Sequence, residues 1–160
     1  MREHPQTPDS FVSHLAKASA TIVAATPGPE LEQQLNADFP ADGDWFSTTF
    51  AMCQAGCEEG WLCAREAGGI KFGRAVPAGK ALSGLSVDVV EMEDVVGPHH
   101  AHPNGEIDLV MPLDASAQFD GSGAGWKVYE AGSAHKPTVT GGKALVLYFL
   151  PDGAIEFTKG

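Results

Sequence analysis

The chain has 160 residues, 43% of them hydrophobic and 19% charged, with 10 basic against 21 acidic side chains and a net charge of −11. That length suits one domain with its own core, the composition excludes a disordered chain, and the acidic balance argues against a nucleic-acid partner. No apolar run reaches the roughly 18 residues of a membrane span, and "MREHPQTPDS" lacks the basic-then-apolar order of a secretory leader. A cytoplasmic protein is therefore expected. The odd count of three cysteines, Cys53, Cys57 and Cys63, fits a reducing compartment.

In chain order, residues 9 to 25 read as a helix, with Phe11, Leu15, Ala18 and Ile22 at helical spacing and Asp9 or Ser10 as its cap. "TPGP" breaks it at residues 26 to 29, "ELEQQLNADF" gives a second helix, and "PADGD" ends that one. Asp44 is then placed to cap a third helix through "WFSTTFAMCQAGC". From about Trp61 the pattern changes to short β-branched runs between glycines and prolines: "IKFGRAV", "LSVDVVEMEDVV", "EIDLVMPL", "GWKVYEAG", "AHKPTV", "KALVLYFL" and "AIEF". The alternation of the second run slips at Val89-Val90, which predicts an irregularity there. Many short strands with regular turn signals predict a mainly β barrel or sandwich. The division is a helical segment over residues 1–60 and a barrel over 61–160, together one structural domain, with the helices packed on the barrel.

The chemistry concentrates in "HHAHPNGE", residues 99 to 106. Alternate side chains of a strand share a face, so His100 and His102 point one way and His99 the other. "PNG" is a turn sequence, and the chain returns through it with Glu106 beside His102. A fourth candidate is His135 in "EAGSAHKP". Three imidazoles and a carboxylate suit one divalent first-row transition metal (Fe, Mn, Zn or Ni). On a five- or six-coordinate ion they leave a position open, as a catalytic rather than a closed structural site requires.

His100-x-His102-x-x-x-Glu106, followed by Gly132-x-x-His135, resembles the two metal motifs of the cupin superfamily. The first motif matches at every ligand position, with Gly97 and Gly121 near the expected flanking glycines. The second departs, with Glu130 where proline is usual and Val139 where asparagine is usual. The resemblance implies a double-stranded β-helix, or jelly-roll barrel. The helical first third, "DWFSTTFAMCQAGCEEGWLCAREAGGIKFGRA" and "HHAHPNGEIDLVMP" together resemble the 4-hydroxylaminobenzoate lyase family of nitrobenzoate-degrading bacteria. This implies conversion of 4-hydroxylaminobenzoate to 3,4-dihydroxybenzoate and ammonia. The reaction adds water and removes ammonia with no net oxidation, so a Lewis-acid metal suffices. Glu106 is taken up as a ligand, so proton transfer needs another group: Glu130, His99, Tyr129 and Asp108 are candidates by proximity in sequence.

A small aromatic acid also needs a cation, and arginine binds a carboxylate best. The three arginines are Arg2, near the terminus, Arg65 and Arg74. Arg74 shares a strand face with Phe72 and Val76 and is slightly favoured over Arg65 as a pocket residue. Cys53 and Cys57 share a helix face, and with Cys63 they read as reduced, buried small hydrophobes rather than a metal cluster. Trp45, Phe46 and Phe50 read as core or a dimer seam, and Trp61, Trp126, Tyr129 and Tyr148 as packing with room for ring stacking. His4 and His14 receive no role. "GRAVPAGKAL" is a turn between strands, not a phosphate loop. A homodimer is expected, with no nucleic-acid or membrane partner. Two other readings stand beside the lyase: another small-molecule cupin enzyme such as an iron dioxygenase, and a non-catalytic sensor domain.

Overall fold

The computed structural model describes residues 7–158, so Arg2 and His4 lie outside it. Three helices come first: α1 (Asp9–Val23), α2 (Pro29–Asp38) and α3 (Asp44–Glu59). Phe11, Leu15, Ala18 and Ile22 of α1 are all buried, as their spacing requires. The caps differ from expectation: Pro8 and Gly43 occupy the cap positions of α1 and α3, while Asp9 and Asp44 lie inside the first turns. There the carboxylates still complement the positive end of the helix dipole.

Ten strands follow: β1 (Arg65–Ala67), β2 (Ile70–Val76), β3 (Leu85–Val96), β4 (His100–His102), β5 (Glu106–Pro112), β6 (Gln118–Phe119), β7 (Gly125–Tyr129), β8 (Ser133–His135), β9 (Thr138–Pro151) and β10 (Glu156–Phe157). They form the expected mainly β fold of antiparallel sheets behind a helical segment. The larger sheet runs β1-β2-β3-β9-β5-β7, with β6 also on β9, and the smaller runs β10-β4-β8. The smaller sheet closes over one face of the larger, and the helices cover the other. Leu145, Leu147 and Phe149 of β9 join Leu15, Leu35 and Cys53 in the core beneath the helices. Their neighbours Val146, Tyr148 and Leu150 join Val90, Met92 and Phe119 inside the barrel.

Two covered faces explain a misread alternation. Val89 faces the helices and Val90 faces the barrel interior, so both are buried without any irregularity. The register shift of β3 lies later, between Glu93 and Val95, with Asp94 in the left-handed region. A second shift separates Arg74 from Val76 on β2. It keeps Phe72 and Arg74 toward the interior but turns Val76 to the helix side. "AHKPTV" and "KALVLYFL" are also divided differently: β8 ends at His135, and β9 runs unbroken from Thr138 to Pro151. Pro137 makes the division, because it has no N–H for a sheet ladder.

The cysteines need a second correction. Cys57 and Cys63 are joined as a disulfide, and only Cys53 is free. Gly60, left-handed at φ +91°, ends α3 and turns the chain back, which brings Cys63 beside the last helical turn. Edge strand β7 is guarded by α2. Asn36 accepts from the Trp126 N–H at 3.0 Å, and Glu32 accepts from the Val128 N–H at 2.8 Å. Such cover blunts an edge that would otherwise pair with other chains.

Candidate metal centre

The ligand candidates come from both sheets. His100 and His102 lie on β4 and are buried, with Ala101 between them on the outer face. Beyond His102 the chain makes a four-residue turn, in which the Gly105 N–H donates to the His102 carbonyl at 3.2 Å. Gly105 sits at φ +94°, and a Cβ there would come within 2.8 Å of Pro27 and 3.0 Å of the Tyr129 carbonyl. A side chain is thus excluded twice, by the backbone angle and by space. This turn is not a hairpin. It carries the chain from the small sheet into the large one, where Glu106 opens β5 opposite Tyr129. His135 reaches the same point from β8, directly across from His100.

One ligand atom from each of His100, His102, Glu106 and His135 lies within 4.8 Å of every other. His100 Nε2 is 3.0 Å and His102 Nε2 3.2 Å from Glu106 Oε1, while His135 Nε2 is 3.5 Å from Oε2. Burial alone would push the Glu106 carboxyl up, but the surrounding imidazoles hold it well below the usual carboxylate range. His102 Nε2 and Glu106 Oε2 are fully buried, and neither has a hydrogen-bond partner. Unpartnered buried acceptors of this kind cost stability unless something satisfies them. Three imidazoles and a carboxylate converging in this way fit a divalent metal ion.

Neighbouring groups orient the rings. Ser133 Oγ donates to the Glu130 carbonyl at 2.6 Å, so its lone pairs accept from His102 Nδ1 at 2.9 Å. His102 Nε2 is thereby left facing the cluster. On the other side, Asp120 accepts from His135 Nδ1 at 2.6 Å and from the Tyr129 hydroxyl at 2.5 Å. Burial lowers the basicity of His135, but Asp120 and Glu106 overcome it and raise the ring to about 9. The centre therefore attracts positive charge. Burial and the adjacent Glu106 charge hold Asp108 well above the ordinary carboxyl range, and neither of its oxygens has a partner. Tyr129 is likewise pushed up, chiefly by burial.

A polar row runs across the interior of the large sheet at this level. Register places Arg74 opposite Asp88, Asp88 opposite Tyr148, Tyr148 opposite Asp108, and Asp108 opposite Lys127. At one end of the row lies a cavity of about 970 Å³, with Phe72, Trp61, Tyr148 and Phe157 in its walls and His100 at its border with the cluster. Arg65, Arg74 and Asp88 are its charged lining residues among those described. Arg74 donates from Nε to Asp88 at 2.8 Å and from Nη2 at 3.3 Å. Arg65 is exposed and has no ion-pair partner among the described residues.

The four expected metal ligands thus come together, and both expected arginines reach one cavity beside them. Of the residues considered for proton transfer, Tyr129 and Asp108 lie at the centre, whereas His99 and Glu130 do not. His99 points to the opposite side and contacts Thr158 Oγ1 at 2.5 Å. The exposed Glu130 side chain reaches back toward Gly28. Asp120 and Ser133 were not anticipated. A signal for Asp120 was present in "FDGS": Asp-Gly is the preferred pair for a two-residue hairpin turn. Both residues indeed have positive φ, between Phe119 and Ser122, which exchange hydrogen bonds. No helix among the described residues is long and apolar enough to cross a membrane.

Comparison with known proteins bears on the whole chain. The sequence model of the 4-hydroxylaminobenzoate lyase (PnbB) family matches residues 13–157. A 4-hydroxylaminobenzoate lyase of Nocardioides sp. (strain LMS-CY) is 31% identical over 142 residues, covering 82% of this chain and 83% of that protein. Another from Pseudomonas putida is 28% identical over 156 residues, covering 86% and 88%. Among solved structures, an RmlC-like cupin protein from Ralstonia eutropha aligns at TM-score 0.45 and 11% identity, over 60% of this chain and 64% of that one. A chain from the Rhodobacter sphaeroides complex of SigE with the anti-sigma ChrR aligns at TM-score 0.45 and 15% identity, over 93% and 98%.

Proposed function

The chain belongs to the 4-hydroxylaminobenzoate lyase family, and on that premise we propose that it converts 4-hydroxylaminobenzoate and water to 3,4-dihydroxybenzoate and ammonia at the His100–His102–Glu106–His135 centre. The observation that carries this reading is the cavity. Two of the three arginines in a strongly acidic chain line one apolar space that also contains a metal-ligand candidate. Among the described residues, Arg65 and Arg74 against the single carboxylate of Asp88 leave that lining with one net positive charge, which suits a monoanion with an aromatic body. The volume falls in the range of small-molecule sites.

Phe72, Trp61 and Phe157 offer faces and edges to the substrate ring. Arg65 takes the carboxylate in the first instance, because Arg74 is already committed to Asp88. The hydroxylamino end is then directed toward His100, where the cavity meets the cluster. Along the interior row, Arg74 and Tyr148 are two strand spacings apart, about 10 Å between backbones. A single benzoate can therefore address both regions. The reaction breaks the N–O bond, the ring C–N bond and the neighbouring ring C–H bond and forms two ring C–O bonds. The ring proton passes to the departing nitrogen or to solvent, in balance with one net water taken up and one ammonia released. A bound divalent metal would supply Lewis-acid polarisation of the hydroxylamino group or of water. Tyr129, hydrogen-bonded to Asp120 with its ring centre 4.4 Å from that of His135, is one candidate for holding or moving a proton, and Asp108, beside Glu106, is the other.

The test is ammonia release from 4-hydroxylaminobenzoate under anaerobic conditions by protein of known metal content, with His102→Ala as control. Turnover by the native chain alone is expected. An absolute requirement for oxygen would point to a dioxygenase instead, and absence of turnover despite a filled centre would overturn the lyase reading.

A further inference from the structure

We propose that Asp120 is a positioning residue for the metal centre, fixing which nitrogen of His135 faces the ligand cluster and clamping Tyr129 against the same ring. The inference rests on the metal-centre reading above and extends it to a residue outside the ligand set. Asp120 occupies the tip of the tight turn between Phe119 and Ser122, with φ +49°, a conformation that aspartate tolerates better than most side chains. Its backbone N–H donates to the Thr138 carbonyl at 2.8 Å, and its Oδ1 accepts from the Thr138 N–H at 2.9 Å. Two bonds to one residue of β9 lock the carboxylate in place. The second oxygen, Oδ2, then accepts from both His135 Nδ1 and the Tyr129 hydroxyl.

This arrangement has a chemical consequence. A carboxylate only accepts hydrogen bonds, so the His135 proton must sit on Nδ1. Once Nε2 gives up its proton, as ligation of a metal requires, its lone pair faces the cluster, 3.2 Å from His100 Nε2 and 3.5 Å from Glu106 Oε2. A carboxylate behind a ligating histidine orients the ring and raises its strength as a donor. Asparagine at position 120 would keep the size. Its NH2 would, however, compete with Nδ1–H for the same space, and the ring would lose its anchor. Tyr129→Phe removes the second donor to Oδ2 but leaves the His135 contact.

The experiment measures Zn²⁺ affinity by competition with a chromophoric chelator for the wild type, Asp120→Asn and Tyr129→Phe. It is accompanied by two-dimensional ¹⁵N–¹H spectra of the histidine rings in the zinc-loaded wild type. The expected result is a loss of roughly 10- to 100-fold in affinity for Asp120→Asn, wild-type affinity for Tyr129→Phe, and a His135 ring protonated at Nδ1. Equal affinity of Asp120→Asn and the wild type would overturn the proposal while leaving the metal centre intact. Absence of zinc binding by the wild type would remove both. Should Asp120→Asn fail to fold, the wild-type spectrum decides, since a His135 ring without a proton on Nδ1 contradicts the proposed role.

Discussion

Replacing Arg65 by alanine should raise KM for 4-hydroxylaminobenzoate with little change in kcat or thermal stability. A hydrogen bond to a charged group is worth about 1.5–3 kcal/mol, which is roughly 10- to 150-fold in affinity. Arg65 is exposed, so solvent screening places the effect near the lower end, roughly 10-fold. Arg74 behaves differently because of its neighbour. Its side chain is 39% exposed and that of Asp88 19%, so Arg74→Ala leaves a half-buried carboxylate unpaired inside the cavity. KM should rise and the melting temperature should fall. Adding Asp88→Ala should then bring KM back toward the wild-type value, because Arg65 again gives the lining one net positive charge. Initial rates of ammonia release against substrate concentration provide the assay. Hydroxylaminobenzene, which lacks the carboxylate, should be indifferent to Arg65→Ala. An unchanged KM for Arg65→Ala, together with a double variant no better than Arg74→Ala, would refute carboxylate recognition by the charge of this cavity.

Three further expectations concern the framework. Gly105→Ala should destabilise the chain by at least about 1–2 kcal/mol from the left-handed backbone angle alone, and the 2.8 Å approach to Pro27 adds to it. A calorimetric melt reads the loss, and an unaltered melting temperature would contradict the turn geometry. His14, hydrogen-bonded to Thr49 Oγ1 at 2.7 Å and stacked on Trp45, is held below its ordinary value of 6.5, chiefly by burial. The fold therefore favours the neutral ring. Its contribution should be complete above pH 6.5 and decline as the pH falls from there toward the folded value. The stability difference between wild type and His14→Gln should shrink over that interval, and a difference independent of pH would be evidence against it. Finally, burial pushes the Cys53 thiol up to about 12, so iodoacetamide should leave it unmodified in the native chain. One thiol should react after denaturation without reductant, and three after reduction; labelling at Cys57 in unreduced protein would show the disulfide to be absent.

The His-Glu cluster was legible because strand alternation and a Pro-Asn-Gly turn act over a few residues. His100 and His102 share a face whatever surrounds them, and the turn is short enough to bring Glu106 back. Asp120 was not legible in the same way. The Asp-Gly pair marks a turn, but where its carboxylate points depends on β6 pairing with β9, and no local pattern records that. The same limit explains Val76. Its place on the face of Phe72 and Arg74 follows from strict alternation, and the register shift after Arg74, set against β3, undoes it. Cys57 and Cys63 are six residues apart, a spacing that suggests no contact along a helix, and only the stop at Gly60 brings them together.

The helical segment follows from the sheet it covers. Residues 144 to 150 of β9 and 106 to 111 of β5 are buried on both faces, so the barrel cannot stand alone with one side in water. Covering the outer face dries the sheet from behind, and a row of charged groups then crosses the interior at one level. Arg74, Asp88, Asp108 and Lys127 lie on that level, two of them carboxylates, with Glu106 one interior position from Asp108 along β5. A row this rich in charge would be costly in an ordinary core. It becomes explicable where one end is matched by a substrate anion and the other by a cation. On this argument, removing the helices should cost more than their own contacts: it would rewet the sheet beneath a buried Glu106 and weaken the centre that the four ligands build.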